Sequence, residues 1–194
     1  SGQTGRTTAK ITAQHGLIYH RLLGAFGEEK AAQYARANQR AVKCYQELVN
    51  TLSIDCDFEE CASYLYALED PKPVELEEQA AQKLGIPSEL LGVTELPFPV
   101  KTALRFSGQA QFDPIKFLAA VSKDLVIYEH TPVLEIKGNR LTIPGGIVTA
   151  NQVVMATHFA FVNVPGYYFM RMHQERSYVL ALANARKLHG IYYC

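Results

Sequence analysis

The spacing of apolar residues predicts three helices in the first half of the chain. Apolar side chains recur mostly at steps of three and four positions over residues 8–26, 28–49 and 75–84, the period of a helix with one buried face. Gly24 and Gly27 weaken the first helix near its end, because glycine is a poor helix former. The second helix, which begins with two glutamates, has the most regular stripe.

Strand patterns come next along the chain. Residues 102–112 alternate between apolar and polar side chains, which predicts a strand with one polar face that includes Gln109. Residues 58–67 mix aromatic and small side chains and are compatible with one strand or two. A short helical turn is expected to begin near Ser88.

A helix-start signal follows the predicted strand. Asp113 provides a side chain that can cap a helix, and Pro114 suits the first helical position. Apolar residues at helical spacing continue beyond it. We therefore expect a helix that ends near Asp124.

The second half of the chain is predicted to form a small antiparallel meander. Its turns are expected at Gly138-Asn139 and Gly145-Gly146. Two more strands are expected over residues 167–172 and 176–183, and the final GIYYC resembles a strand without its partner. The four strands of the meander are LVIYE, PVLEI, RLTI and VVMAT. Helices combined with mixed and mostly antiparallel strands indicate an α+β fold.

Composition excludes several classes of protein. Nineteen basic residues balance nineteen acidic ones and are scattered along the chain, so nucleic acid is not an expected partner. The apolar runs are too short to cross a membrane, and the first residues lack the apolar stretch of a signal peptide. We expect a soluble, cytoplasmic protein.

The four cysteines do not indicate a disulfide framework or a metal site. They form no C-x-x-C pair, and a chain of 194 residues does not need disulfides for stability. Cys56 and Cys61 have no second Cys or His pair at zinc-site spacing. We expect free thiols and no bound metal.

Two stretches have chemistry suited to a ligand. TGRTTAK combines a flexible glycine with threonine hydroxyls directly before the first predicted helix, where free N–H groups would suit a phosphate. VVMATH is an apolar strand that ends in small residues, which lets a ligand approach the backbone. Local helix capping by threonine, and an ordinary buried strand followed by a turn, are the alternative interpretations.

An ordered series of segments resembles one known family. GRTTAKITAQHGLIYHRL, QAQFDPIKFL, YEHTPVLEI, VVMATHFAF and RSYVLAL follow one another in the order and rough spacing of D-amino-acid-oxidase-like FAD-dependent oxidoreductases. The similar branch is one whose members often carry a C-terminal Rieske iron–sulfur domain. The resemblance covers nearly the whole chain and implies a fold of two domains, one for FAD and one for the substrate.

The resemblance also implies which residues contact FAD. The loop that wraps the ribityl and pyrophosphate groups corresponds to Thr4, Gly5, Arg6, Thr7, Thr8, Ala9 and Lys10. Val133 would meet the adenine end through its backbone, and Ala156, Thr157 and His158 would lie close to FAD.

The same resemblance suggests substrate contacts and a division into parts. Arg105, Arg171 and Tyr178 are the candidate substrate contacts. The expected parts are a flavin loop with helices at residues 1–56, substrate-domain parts at 57–112 and 161–194, and a cofactor-domain helix with the meander at 113–160.

The implied reaction is hydride transfer from a C–H bond beside an amine nitrogen to the flavin, with an amine or amino acid as substrate. No catalytic residue is assigned, because this reaction needs no protein acid or base. The family's G-x-G-x-x-G turn is missing from the sequence. We therefore expect an interior piece of an oxidoreductase that retains little FAD, is inactive alone and self-associates through exposed sheet edges. A non-catalytic scaffold derived from the same fold is the alternative.

Overall fold

A computed structural model describes residues 3–162, 166–173, 175 and 177–194. The chain forms two compact units, the first made of Ser1–Lys123 and Val179–Cys194 and the second of Asp124–Tyr178. In chain order the elements are β1 (Lys10–Ile11), α1 (Tyr19–Thr51), β2 (Glu59–Ala67), α2 (Lys72–Lys83), β3 (Ser88–Leu91), β4 (Thr102–Gln111), α3 (Pro114–Val121), β5 (Glu135–Lys137), β6 (Arg140–Ile143), β7 (Gly146–Thr149) and β8 (Gly190–Tyr193). These helices and mixed sheets confirm the predicted α+β fold. None of the helices in the described part of the chain is long and apolar enough to span a bilayer.

A five-stranded sheet organises the first unit. Its strands run in the order β1-β4-β2-β8, and β3 also pairs with β4. The pairing of β2 with β8 is parallel, whereas β1, β2 and β3 are each antiparallel to β4. The prediction that GIYYC lacks a partner is therefore wrong, because β8 joins the sheet beside β2.

Helices α1 and α2 pack with this sheet to form the main core. Small and aromatic side chains from α1 meet apolar side chains of α2, β2 and β4, so each helix buries one stripe. The members of this cluster are Tyr19, Ala31, Ala35, Leu65, Val74, Ala80, Ala81, Leu84, Ile86, Leu104 and Phe106.

The first predicted helix begins later than expected. Ile11 lies in β1 and pairs with Ala110 of β4, so the apolar positions before Tyr19 do not form a helical stripe. The predicted weakening by glycine is confirmed at Gly27, which has non-helical torsions (φ 77°, ψ 172°) inside α1. The helix beyond Gly27 confirms the second predicted stripe.

Two predictions around β4 are wrong. The segment at Ser88 is strand β3 rather than a helical turn, because Leu90 pairs with Leu104 of β4. The register of β2 and β4 shifts near Cys61, which places an extra residue in β4 and interrupts its alternation. As a result Gln109, expected on a polar face, is buried.

Other elements confirm their sequence signals. Residues 58–67 contain a single strand, β2, and the third predicted helix is α2. A carboxylate oxygen of Asp113 accepts hydrogen bonds from the backbone N–H groups of Ile115 (2.8 Å) and Lys116 (3.1 Å), so it caps α3 as predicted. Helix α3 ends at Val121, earlier than the expected end near Asp124.

The second unit contains a three-stranded sheet in the order β5-β6-β7. Its first turn, Gly138-Asn139, is confirmed, while the second turn falls at Pro144-Gly145, so that Gly146 opens β7. LVIYE and VVMAT, both fully described, are not strands. The high β-propensity of their branched residues is not sufficient, because neither segment pairs with a strand of the described sheets.

The later strand predictions in this region are also wrong. Residues 167–172 contain a short 3-10 helix, Tyr168–Met170, instead of a strand. Residues 177–183 form no strand in their described positions, and Arg176 lies outside the described residues.

Candidate cofactor-contact site

Four residues of the predicted flavin loop line a cavity of about 460 Å³ in the first unit. The rest of the lining comes from β1, the middle of α1 and the junction of β4 with α3. The lining residues are Thr7, Thr8, Ala9, Lys10, Ile11, Thr12, Asn38, Ala41, Val42, Tyr45, Phe112 and Pro114. Thr4, Gly5 and Arg6 form a 3-10 turn just before this stretch and are not part of the lining.

The loop has a defined local shape. The hydroxyl of Thr7 accepts a hydrogen bond from the backbone N–H of Ala9 at 3.1 Å, a local bond of the kind that threonine favours in turns. Ala9 has a positive φ of 56°, which is uncommon for a residue other than glycine. The loop runs into β1, so the expected helix N-terminus next to it is absent: α1 begins only at Tyr19.

Lys10 connects the loop with the last strand. Its ammonium lies 4.6 Å from the ring centroid of Tyr193 in β8, a cation–π contact. Tyr193 is also fixed by its hydroxyl, which donates to the backbone carbonyl of Gln14 at 2.6 Å. The cation is thus held at the cavity by an aromatic face.

The chemistry of the lining suits part of a nucleotide cofactor. Threonine hydroxyls and the Lys10 ammonium can donate to phosphate and ribityl oxygens. Tyr45 and Phe112 form an aromatic pair with ring centroids 5.6 Å apart, and with Val42 they give the cavity an apolar wall. A site with a few polar donors set in an apolar lining is typical of small-molecule binding. The residues are therefore chemically compatible with part of a cofactor such as FAD.

The segment between β1 and α1 is clamped onto the sheet by buried hydrogen bonds. The backbone N–H of Ala13 donates to the side-chain oxygen of Gln109 at 2.7 Å, and the hydroxyl of Tyr19 donates to the carbonyl of Ala13 at 2.5 Å. Burial raises the pKa of Tyr19 above its ordinary value, so this hydroxyl stays protonated and remains a donor.

Gln14 is the centre of the same network. It is only 1% exposed, its side-chain amide donates to the carbonyl of Leu104 at 3.1 Å, and its side-chain oxygen accepts from the hydroxyl of Ser63 at 2.6 Å. A buried polar network in which every member has a partner favours a single arrangement. Residues 12–18 therefore have a fixed path across the sheet.

This segment also lines a second cavity, of about 420 Å³. The cavity lies where residues 15–18 and the start of α1 meet the end of β2 and the start of α2. It is lined by His15, Gly16, Leu17, Ile18, Arg21, Leu65, Tyr66, Ala67, Asp70, Pro73, Val74 and Cys194. Sequence reasoning missed Arg21 and Asp70, because no local motif links residues that only the tertiary fold brings to one cavity.

Arg105, a candidate substrate contact, lies on β4 in the first unit. Its guanidinium makes an ion pair and hydrogen bond with Glu89 of β3, and this hydrogen bond raises the pKa of Arg105 above its ordinary value. The side chain is partly exposed. The charge of Arg105 is thus paired with a carboxylate on the neighbouring strand.

The remaining candidate residues belong to the second unit. Val133 is half-buried in the connection before β5, and residues 156–158 are exposed in a stretch without regular structure, so the expected strand end is absent there. Arg171 follows the 3-10 helix, and Tyr178 is 85% exposed. The structure thus gathers Thr7, Thr8, Ala9 and Lys10 at one cavity in the first unit, while the other candidates in the second unit are spread along its loops.

The cysteines are all free thiols, with Cys56 buried and Cys44 and Cys194 exposed. Burial raises the pKa of both Cys56 and Cys61. Among the described side chains, no group of three or more His, Cys, Asp or Glu residues is arranged to hold a metal ion.

Comparisons with known proteins identify relatives of this chain. The chain is 36% identical over 193 residues to the putative Rieske 2Fe-2S iron–sulfur protein YhfW of Bacillus subtilis (strain 168), a match that covers 94% of the chain and 38% of that protein. The chain therefore spans well under half the length of this relative.

Two solved structures share the fold. L-proline dehydrogenase from P. horikoshii has a TM-score of 0.56 at 16% identity, covering 77% of this chain and 41% of that one. Glycine oxidase from Geobacillus kaustophilus has a TM-score of 0.55 at 19% identity, covering 81% of this chain and 45% of that one.

The sequence profile of one family, described as FAD dependent oxidoreductase (DAO), matches residues 1–193. This match confirms the resemblance drawn from the ordered segments. The chain belongs to the DAO family of FAD dependent oxidoreductases.

Proposed function

We propose that this chain contributes part of the FAD site to an oxidoreductase that removes a hydride from the C–H bond beside an amine nitrogen. The observation that supports it is the cavity bordered by Thr7, Thr8 and Lys10, whose donors and apolar wall suit FAD. Family membership supports the choice of cofactor.

In this proposal residues of the chain bind and orient the cofactor, and the cofactor supplies the redox chemistry. FAD, when bound, accepts the hydride. The hydroxyl of Thr8 and the ammonium of Lys10 would donate to cofactor oxygens, and Tyr193 would keep the ammonium in place. Tyr45 and Phe112 exclude water from one side of the cavity.

The proposed substrate is a small amine or amino acid. The two fold relatives are a proline dehydrogenase and a glycine oxidase, which agrees with this class. The related putative Rieske protein supports a further proposal, that the full-length gene product carries a Rieske domain that takes part in electron transfer. The contacts expected from Val133, from Ala156, Thr157 and His158, and from Arg171 and Tyr178 remain part of the proposal.

The cofactor test uses the full-length gene product. Purified protein should show flavin absorbance and release FAD on denaturation. Thr8→Val and Lys10→Gln should each weaken FAD binding about tenfold, the usual effect of losing a hydrogen bond to a charged group. Thr51→Val and Lys123→Gln, which alter exposed residues outside the cavity, are the matched controls. Equal FAD affinity in all four variants would reject the cavity as a contact site.

The reaction is tested without oxygen. A panel of amines and amino acids should include compounds that bleach the flavin, more slowly when the C–H bond beside nitrogen carries deuterium. A flavin that no member of the panel reduces would reject the proposed C–N oxidation and favour the non-catalytic scaffold.

We also propose that the 194-residue chain expressed alone retains little FAD, since the sequence has no G-x-G-x-x-G turn to hold a pyrophosphate. An absorbance scan of the purified chain checks this. Stoichiometric flavin in that sample would show that the glycine turn is not needed.

A further inference from the structure

The first turn of α1 is held by a buried carboxylate from another helix. Glu77 of α2 is 0% exposed. Its two oxygens accept hydrogen bonds from the backbone N–H groups of Tyr19 at 2.7 Å and His20 at 2.8 Å. Ile18, at the N-cap position of α1, makes no side-chain cap. Glu77 therefore provides a cap from 58 residues further along the chain.

This carboxylate depends on its two backbone partners. The ion pairs found among the described residues do not include Glu77. A buried charge is costly unless it is compensated, and here the compensation comes from two charge-assisted hydrogen bonds and the positive end of the α1 dipole. Any shift of the start of α1 away from α2 would lose this compensation.

The segment that leads into this turn is a wall shared by both cavities. Thr12 lines the first cavity, and residues 15–18 line the second. At one end the segment is bound to Gln109 through Ala13, and at the other it enters α1 at Tyr19. Its path is therefore set by a fixed point on the sheet and a fixed point on α2.

We propose that Glu77 is a positioning residue that, through Tyr19 and His20, sets the conformation of residues 12–18 and thereby the shape of both cavities. The expected effect of Glu77 on FAD binding rests on the proposed function, in which the first cavity contacts FAD. The effect of Glu77 on the conformation of residues 12–18 is independent of that function.

Amide hydrogen exchange on the chain tests the conformational part. Glu77→Gln has only one acceptor oxygen and turns an NH2 group toward a backbone N–H. Exchange of the amides of residues 13–20 should therefore accelerate about tenfold or more. Glu78→Gln is the matched control, because Glu78 is its neighbour on α2 and bonds to Gln82 rather than to α1. Unchanged exchange over residues 13–20 in Glu77→Gln would overturn the proposal.

A milder variant covers the case in which Glu77→Gln does not fold. Glu77→Asp keeps the charge but is one methylene shorter, so we expect an intermediate acceleration confined to residues 13–20. Wild-type exchange in Glu77→Asp would overturn the proposal, whereas acceleration spread evenly over the chain would show only a general structural role and would overturn it as well.

The effect of Glu77 on the flavin site is tested by measuring FAD affinity in the full-length gene product. Glu77→Gln should raise the dissociation constant of FAD about tenfold, and Glu78→Gln should leave it unchanged. Faster exchange without a change in FAD affinity would overturn the role of Glu77 at the flavin site. A wild-type protein that binds no FAD would reject the proposed function instead, and the exchange result would still decide whether Glu77 sets the segment.

Discussion

The two compact units use their apolar residues differently. In the first unit, side chains that lie far apart in sequence meet in buried clusters between helices and sheet. In the second unit, Ile147, Val148 and Met155 are exposed, and all fully buried residues of the described chain belong to the first unit. Hairpin turns and branched residues are enough to form a small sheet, but a core requires a second layer that covers one face.

The largest expected contrast between the units comes from deleting a large apolar side chain in each. Phe106→Ala removes a side chain that is 0% exposed and should lower the free energy of unfolding by about 3–5 kcal/mol. Ile147→Ala, at a residue that is 56% exposed, should change it by less than about 1 kcal/mol. Urea unfolding followed by circular dichroism measures both. Similar losses would show that the second unit has an energetically equivalent core.

Gly190 and Gly145 allow a second comparison of packing in the two units, because alanine adds a single Cβ atom at each position. A Cβ at Gly190 would lie 2.5 Å from Cε2 of Tyr64 and 3.0 Å from the carbonyl oxygen of Ala62, so Gly190→Ala should push β8 off β2 and cost about 1–3 kcal/mol.

The control for this variant lies in the meander. A Cβ at Gly145 would meet no atom within 4 Å, so Gly145→Ala should change stability by less than about 0.5 kcal/mol. The same urea titrations measure both variants. A tolerated alanine at Gly190 would mean that the edge of the main sheet is as loosely packed as the meander.

The smallest expected contrast is in how substitution of Glu95 or Glu135 changes the pH dependence of the unfolding free energy. His189 donates hydrogen bonds to Glu95 from its side chain (3.0 Å) and backbone (2.5 Å), and the side-chain bond is the main reason that the pKa of Glu95 lies below its ordinary value. A lowered folded-state pKa stabilises the protein at pH values above the ordinary pKa, and this contribution disappears as the pH falls through the folded-state value.

Glu95→Gln should therefore reduce the difference in unfolding free energy between about pH 6 and about pH 3. Glu135→Gln, which alters an exposed pair with Lys137 in the second unit, serves as the control and should leave that difference nearly unchanged. An identical pH dependence in wild type and Glu95→Gln would show that the His189 contact does not stabilise the folded state.

Sequence patterns predicted correctly the elements that are determined by residues within their own segment. The cap at Asp113 and the strand over residues 102–112 depend on residues within those segments, and both elements were found where expected. Thr7, Thr8, Ala9 and Lys10, which the resemblance assigns to the FAD contacts, line a cavity, and their contact with FAD stays a prediction.

The wrong predictions arose where a distant residue decides the structure. Ile11 follows a helical spacing but pairs with Ala110, and α1 begins at Tyr19 where Glu77 from another helix caps it. Ser88 looks like a helix cap but belongs to a strand because β4 lies beside it. Tertiary pairing of this kind overrides local propensity, and local patterns of apolar and polar residues do not reveal it.

The hydrogen bond from Tyr193 to the carbonyl of Gln14 has a consequence for the order of folding. It joins residues 179 positions apart, and closing such a long loop costs entropy before any contact compensates for it. Contacts of high sequence separation slow folding. The bond from Tyr193 to Gln14 can therefore form only after Tyr193 has left the ribosome, later than the bonds that Gln14 makes to Ser63 and Leu104.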